Sequence, residues 1–311
     1  MWAASCGGMS VCVSIKGGAA KPLRAARSKS VRGASANVSE KGSAPRIAAS
    51  YYLNSAPLIW SFMRGSLSRS VRLLTDAAPA RCADFLARGM VEAALVPVIE
   101  YQRLREVELV PGVCVGARRE VQSVVLVTRG AELEEVETVA LDTSSRTSAA
   151  LVEIIFREFL GRAPRLVPSE PNLRRMLDDN QAALIIGDPA MTFPREGLRV
   201  YDMAALWREH TGLGFVFAMW MARADAAEVV GGVDFAGARD EGFRSIEEIA
   251  AVYEAGLGRP HAELVAYLRD HICYEMDEEM RAGLELYYRL AHKHGLIPEL
   301  RPLRMVGTRA A

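Results

Sequence analysis

The feature that most constrains this chain is an alternation of short apolar runs and amphipathic stretches, laid down once, interrupted at Arg129-Gly130, and laid down again. Residues 47–50 read as a short buried strand that ends in the loop Tyr51-Tyr52-Leu53-Asn54-Ser55-Ala56. Pro57 then suits the first turn of a helix, where its missing N–H costs nothing. Residues 71–74 read as a second strand. Pro79 opens a helix with Cys82, Phe85, Leu86 and Met90 near one face and Gly89 at its end, and residues 93–96 form a third strand closed by Pro97. A strand–helix–strand–helix–strand run predicts a parallel sheet. Residues 113–115 and 124–127 are further strand candidates. Beyond the interruption come a strand at 136–141, a helix at 148–160, a strand at 165–167, a helix at 172–177 and a strand at 182–186 closed by Gly187-Asp188-Pro189. A long buried strand at 215–221 follows. The remainder is helical, at 246–256, 261–271 and 275–293. In the last of these Met276, Met280, Leu284, Tyr287 and Ala291 fall on one stripe at three- and four-residue spacing.

One α/β unit, then a second, then a strand and terminal helices can be arranged economically if the last part returns to the first lobe. This layout resembles the type 2 periplasmic-binding-protein fold: α/β, two-lobed, with a central ligand cleft. Residues 45–130 plus 215–311 form the expected first lobe and residues 131–214 the second. The chain crosses between them near residues 128–134 and 212–214. Ligands of open α/β sheets sit beyond the carboxyl ends of the strands, here between the lobes.

The chain has 311 residues, enough for two ordinary domains, and half of them are hydrophobic. Lysine plus arginine balance aspartate plus glutamate at 38 each, so no global charge draws the protein to nucleic acid, and an anion must be held by a local site. The five cysteines (Cys6, Cys12, Cys82, Cys114 and Cys273) are scattered, with no C-x-x-C pair, which points to free thiols in a reducing compartment. No apolar run reaches the roughly 18–20 residues of a membrane span. Residues 1–44 hold seven basic residues but only Glu40 as an acid, amid serine, glycine and alanine; they read as a disordered extension, and a mis-assigned start or an organelle transit peptide would look alike. The expected location is cytoplasmic.

Two loops could carry chemistry. Leu141-Asp142-Thr143-Ser144-Ser145-Arg146-Thr147-Ser148 lies between a strand and a strong amphipathic helix, and five of the six residues 143–148 carry hydroxyls. Free N–H groups at a helix start bind anions, and hydroxyls add neutral donors for a carboxylate. Simple helix capping is the alternative, but capping needs one such residue, not five. In the loop after the first strand, Tyr52, Asn54 and Ser55 stand where an α/β sheet exposes its ligand face, and Asn54 can donate and accept at once. An Asx turn accounts for the same residues equally well. Ser123 opens a strand, and a lone serine there is more often structural; Arg119 and Gln122 are no more specific. Asp188, at a strand end, is better placed to orient donors or cap a turn than to act as a base. The five histidines make no metal pattern, and no G-x-S-x-G, P-loop or dinucleotide fingerprint follows any strand. Trp207 and Trp220 read as core, and Asp277-Glu278-Glu279 as a solvated helix start.

Several segments in order resemble the chorismate dehydratase family. Ser50-Tyr51-Tyr52-Leu53-Asn54-Ser55-Ala56-Pro57-Leu58 is similar to its S-Y-L-N-[TS]-x-P-L loop, with a departure at Tyr51-Tyr52. The stretch from Pro79 to Tyr101 is similar to the next family segment, and Leu141 to Ser148 to its D-T-x-S-R-T-S. Leu206-Trp207 with Thr211 to Ala218 resembles W-x-x-x-T-G-L-P-F-V-F-A, Gly214 standing where the family has proline, which could loosen the hinge. The likeness runs from about Arg46 to the C-terminus. It implies the two-lobed fold and cofactor-free loss of water from chorismate, giving 3-[(1-carboxyvinyl)oxy]benzoate in the futalosine route to menaquinone. It implies catalytic roles for Asn54 and Ser123 and substrate contacts from Ser145, Arg146, Thr147 and Ser148; by their position at strand ends Tyr52, Ser55 and Asp188 are expected to join them. The implied partner is the small molecule chorismate, with no nucleic acid and no membrane; oligomeric state is left open. A solute receptor of the same fold and the sister futalosine-pathway lyase are the rival readings. The receptor should carry an export signal, and the lyase a histidine loop; neither is evident.

Overall fold

The computed structural model describes residues 44–307, so all but the last residue of the expected extension over residues 1–44 lies outside the described residues. The chain begins with β1 (Arg46–Ser50), β2 (Arg72–Asp76) and β3 (Ala93–Pro97), which run parallel, and adds β4 (Val107–Ala117). It then leaves this sheet. The strands β5 (Val124–Thr128), β6 (Thr138–Asp142), β7 (Arg165–Ser169), β8 (Ala182–Ile186) and β9 (Arg199–Asp202) build a second sheet in the order β7-β6-β8-β5-β9. Finally β10 (Phe215–Arg223) returns to lie antiparallel between β3 and β4, completing the order β2-β1-β3-β10-β4. The two sheets share one plan, and in each the strand antiparallel to the parallel core (β10 and β5) is the first one laid down after a crossing. Every residue of β3, β5 and β8 is buried, as expected of central strands covered on both faces.

The interruption at Arg129-Gly130 places residues 124–128 with the first lobe, whereas the structure places them in the second sheet. The outward crossing is therefore residues 118–123, and Arg129-Gly130 is a turn inside the second lobe. A run such as Val-Val-Leu-Val is equally apolar in either sheet, so its composition does not say which neighbour it pairs with. The return comes between β9 and Phe215. Gly214 is held there by the Trp207 indole, which donates to its carbonyl at 3.2 Å.

The helices follow the proline and cap signals. They are α1 (Ala56–Met63), after a 3-10 turn at Leu53–Ser55; α2 (Pro79–Ala87); α3 (Glu100–Arg103); α4 (Arg146–Ile154), continued by a π-helical turn at Ile155–Phe159; α5 (Leu173–Asp179); α6 (Asp188–Thr192); and α7 (Met203–Thr211). Beyond β10 come α8 (Ala227–Gly231), α9 (Phe235–Arg244), α10 (Ile246–Leu257), α11 (His261–Ala266), continued by a π-helical turn at Tyr267–His271, and α12 (Glu278–Lys293). α9 packs on α1 so closely that a Cβ on Gly242 would lie 1.8 Å from the Pro57 carbonyl oxygen. Periodicity does not announce α9, whose sequence is mostly small and charged. On α12 Met280, Leu284, Tyr287 and Ala291 are buried as the stripe predicts. Trp207 and Trp220 are wholly buried, with Trp207 edge-on to Phe215 at 5.3 Å. Cys82, Cys114 and Cys273 are free thiols. Among the described residues no helix is long and apolar enough to cross a membrane.

Candidate functional site

The carboxyl ends of the parallel strands in the two sheets face one another. β1 ends at Ser50 and delivers Tyr52, Asn54 and Ser55. β6 ends at Asp142 and delivers Ser145 and Ser148, and β8 ends at Ile186 before Gly187. All of these except Asp142 line one cavity of about 50 Å³, together with Pro97 and Phe217 of the first lobe. The asparagine loop and the hydroxyl-rich helix start therefore do share a hollow.

Each hydroxyl has a defined local cause. Ser145 is the N-cap of α4: its Oγ accepts from the Ser148 N–H at 3.3 Å and donates to Ser148 Oγ at 2.7 Å. Capping and cavity lining are thus the same act, and the Ser148 hydroxyl proton stays uncommitted. Asp142 accepts from the N–H and Oγ of Ser144 at 2.8 and 2.6 Å, which fixes the turn; burial raises its pKa. On the facing loop Ser50 and Ser55 pair at 3.1 Å, and Ser55 Oγ donates to Asn54 Oδ1 at 3.1 Å. That bond turns the amide nitrogen of Asn54 toward Ser123 Oγ, 3.5 Å away.

Ser123 is presented by a strained turn. Its N–H donates to the Val121 carbonyl at 2.7 Å, two residues back, and Gln122 between them has φ +59°, rare for a residue with a side chain. This is a γ-turn of the uncommon hand. Asp202 holds it, accepting from the N–H groups of Val121 (3.0 Å) and Gln122 (2.6 Å) while also capping α7. Burial raises the Asp202 pKa against those four N–H groups. Strain of this kind persists where surrounding structure over-determines it, most often at functional sites.

The remaining predicted residues are placed as follows. Tyr52 lays its ring on Gly187, whose φ of +66° and missing side chain make the contact possible; a Cβ there would sit 2.6 Å from the ring. Burial pushes the Tyr52 phenol up to about 12, so it is neutral. Asp188 stands behind the first loop, accepting from the Leu53 N–H at 2.9 Å, with burial raising its carboxyl from 3.8 to about 6. It orients the loop rather than lining the cavity. Thr147 accepts from the Ile99 N–H at 3.2 Å and is buried between the lobes. Arg146 is also not in the cavity wall: its guanidinium reaches across to Asp84 at 2.7 Å and Glu100 at 3.1 Å in the first lobe. A cation already held by two carboxylates has little left for a ligand. Tyr267 carried no signal, because a tyrosine on an amphipathic helix reads as core; its hydroxyl donates to Ser123 Oγ at 2.8 Å. Among the described residues no cluster of histidine, cysteine or carboxylate side chains could hold a metal ion.

Comparison with known proteins agrees with this picture. Residues 45–293 match the family described as menaquinone biosynthesis. The chain is 31% identical over 255 residues to the chorismate dehydratase of Thermus thermophilus, an alignment covering 76% of this chain and 91% of that protein. Among solved structures, a protein of Archaeoglobus fulgidus superposes with a TM-score of 0.65 at 17% identity, covering 81% of this chain and 98% of its own. The periplasmic aliphatic sulphonate binding protein of Escherichia coli superposes with a TM-score of 0.57 at 17% identity, covering 86% and 95%. These likenesses show the periplasmic-binding-protein fold.

Proposed function

The chain belongs to the menaquinone biosynthesis family, and from that membership we propose that it is a cytoplasmic hydro-lyase converting chorismate to 3-[(1-carboxyvinyl)oxy]benzoate. The observation that carries the reading is the meeting of Asn54 and Ser123, delivered by different sheets, beside the Ser145–Ser148 helix start that shares the Asn54 cavity. In the reaction the C3–H bond breaks, its electron pair becomes the new ring double bond, the C4–O bond breaks, and the proton and hydroxide leave as water. Aromatisation drives the step, so the protein's task is to hold one pose in which this elimination outruns others. Asn54 can hydrogen-bond the departing C4 hydroxyl. The uncommitted proton of Ser148, in the cavity wall, can hold a carboxylate oxygen, and that of Ser123, wholly buried beside Asn54 and outside the wall, can do so once the lobes part. Among the described residues the cavity wall has no histidine or carboxylate, and Tyr52 is a neutral phenol, so the substrate's own enolpyruvyl carboxylate takes the C3 proton in this scheme.

A small-molecule site usually measures about 300–1,000 Å³. Admission of a dicarboxylic ring to a cavity of about 50 Å³ therefore requires the lobes to part along the two crossings. Reclosure sheds water and strengthens each polar contact. The test is direct: mix purified protein with chorismate, follow the ultraviolet spectrum for an aromatic product, and weigh the product by mass spectrometry. Loss of one water supports the reading. Tight binding of chorismate with no turnover returns the protein to the solute-receptor class.

A further inference from the structure

We infer that Tyr267 is a positioning residue that commits the Ser123 hydroxyl to donate toward the bound carboxylate. The inference rests on the dehydratase reading and extends it to a residue 144 positions along the chain from Ser123. A serine hydroxyl has one proton and two acceptor sites. The Tyr267 phenol is wholly buried, and Ser123 Oγ, at 2.8 Å, is its hydrogen-bond partner. If Ser123 donated to it instead, the phenol proton would be left in the core without an acceptor, a costly arrangement. Burial also raises the Tyr267 pKa, which keeps that proton in place. Asn54 supplies the second donor to Ser123 Oγ, at 3.5 Å. With both acceptor sites taken, the serine's own proton is left for a ligand, which reaches the wholly buried Ser123 when the lobes part.

The backbone around Tyr267 supports the same role. Tyr267 opens the π-helical turn Tyr267–His271, and insertions of this type concentrate at functional sites. The other end of the turn, His271, contacts the Gln122 amide at 3.0 Å. One π-helical turn therefore grips two consecutive residues of the three in the strained γ-turn, Gln122 by a ring nitrogen and Ser123 by a phenol.

The test is a double-mutant cycle on the full chain with chorismate. Tyr267→Phe keeps the ring and removes the hydroxyl; it should lower kcat/KM about tenfold, chiefly by raising KM, as loss of a bond to a charged group implies. On a Ser123→Ala background the same change should cost nothing more. Equal losses on both backgrounds, or unchanged kinetics with only a lowered Tm, would reduce Tyr267 to a packing residue. Replacing Tyr267 with 3-fluorotyrosine, which keeps the hydroxyl and makes it a stronger donor, should leave KM at or below the wild-type value; a raised KM overturns the assignment even where Tyr267→Phe does not fold. Wild-type protein that fails to turn over chorismate defeats the dehydratase reading and this role with it, whereas an active wild type with additive losses defeats the Tyr267 role alone.

Discussion

Two hollows among the described residues differ sharply. The cleft cavity measures about 50 Å³ and is walled by hydroxyls, an amide and apolar rings. A groove beside the outward crossing is far larger, about 740 Å³, and is lined by Arg118, Arg119, Arg208 and His271 with carboxylates among them. On size and charge the groove looks the better place for an anion. Two of its three guanidinium groups, however, are compensated: Arg118 pairs with Asp277 at 2.7 Å and Arg208 with Glu279 at 2.7 Å, while the His271 ring lies 3.2 Å from the Glu120 carboxylate. Beside the cleft the cation Arg146 is likewise spent on Asp84 and Glu100, but Ser148 in the cavity wall and Ser123 next to Asn54 keep protons that no group of the protein accepts. The lesson is that unused donors held in fixed directions mark a site better than volume or formal charge does.

The largest effect should come from removing the amide in the wall of the small cavity. Asn54→Ala should lower turnover of chorismate by about 100-fold or more, the usual loss for one preorganised donor. Its circular dichroism and Tm should stay near wild type, because Asn54 caps no helix. Near-normal turnover by the folded variant would erase the contrast between the two hollows.

Next is the cation that spans the lobes. Arg146→Ala leaves Glu100, almost wholly buried, with Arg103 alone, and removes two bonds that join α4 to the first lobe. Destabilisation of about 2–3 kcal/mol in urea unfolding is expected, since a buried carboxylate loses a partner. If Arg146 instead held substrate, the loss would appear in KM with stability unchanged, and the kinetics and the urea midpoint together separate the two.

How much of this was legible beforehand depends on what each residue does locally. Pro57, Pro79 and the 141–148 hydroxyl run declare themselves through local geometry: a proline opens a helix, a serine caps one, and the strand before it points both into the cleft. The α12 stripe is legible for the same reason. β5 is not, because pairing with β8 rather than β3 is a choice between distant partners of equal hydrophobicity. Asp202 and Tyr267 are invisible for a related reason. They act on Gln122 and Ser123 through contacts spanning 80 to 144 residues of chain, and neither sits in a motif with a mechanism of its own. Arg146 was visible, but sequence could not show that Asp84 and Glu100 reach it first.

A smaller effect, with its own pH signature, is expected at Asp188. Its folded-state pKa of about 6 exceeds its ordinary value of 3.8 because the carboxylate is buried with a single N–H to hold it. The native state thus binds the proton more tightly than the unfolded chain. The resulting stabilisation is complete below about pH 3.8 and is lost as pH rises through about 6. Asp188→Asn keeps an acceptor for the Leu53 N–H and removes the charge, so it should match wild type near pH 4 and gain about 1–2 kcal/mol by pH 8. Urea denaturation across that range reads the difference; a gain that does not grow with pH would mean the carboxylate is better solvated than its burial implies.

The smallest effect sharpens the comparison most, because it asks whether the large groove takes part at all. Arg119 is exposed on the outward crossing and faces the groove, where Arg118 and Arg208 are already tied to α12. If the groove only accommodates bending of the crossing, deleting one exposed guanidinium removes a charge that water and salt already screen. Arg119→Ala should then leave kcat and KM for chorismate within twofold of wild type at both low and physiological ionic strength, and stability within about 0.5 kcal/mol. A KM that rises several-fold at low salt and recovers at high salt would show that the groove steers the anion toward the cleft, and the two hollows would have to be treated as one path rather than as site and bystander.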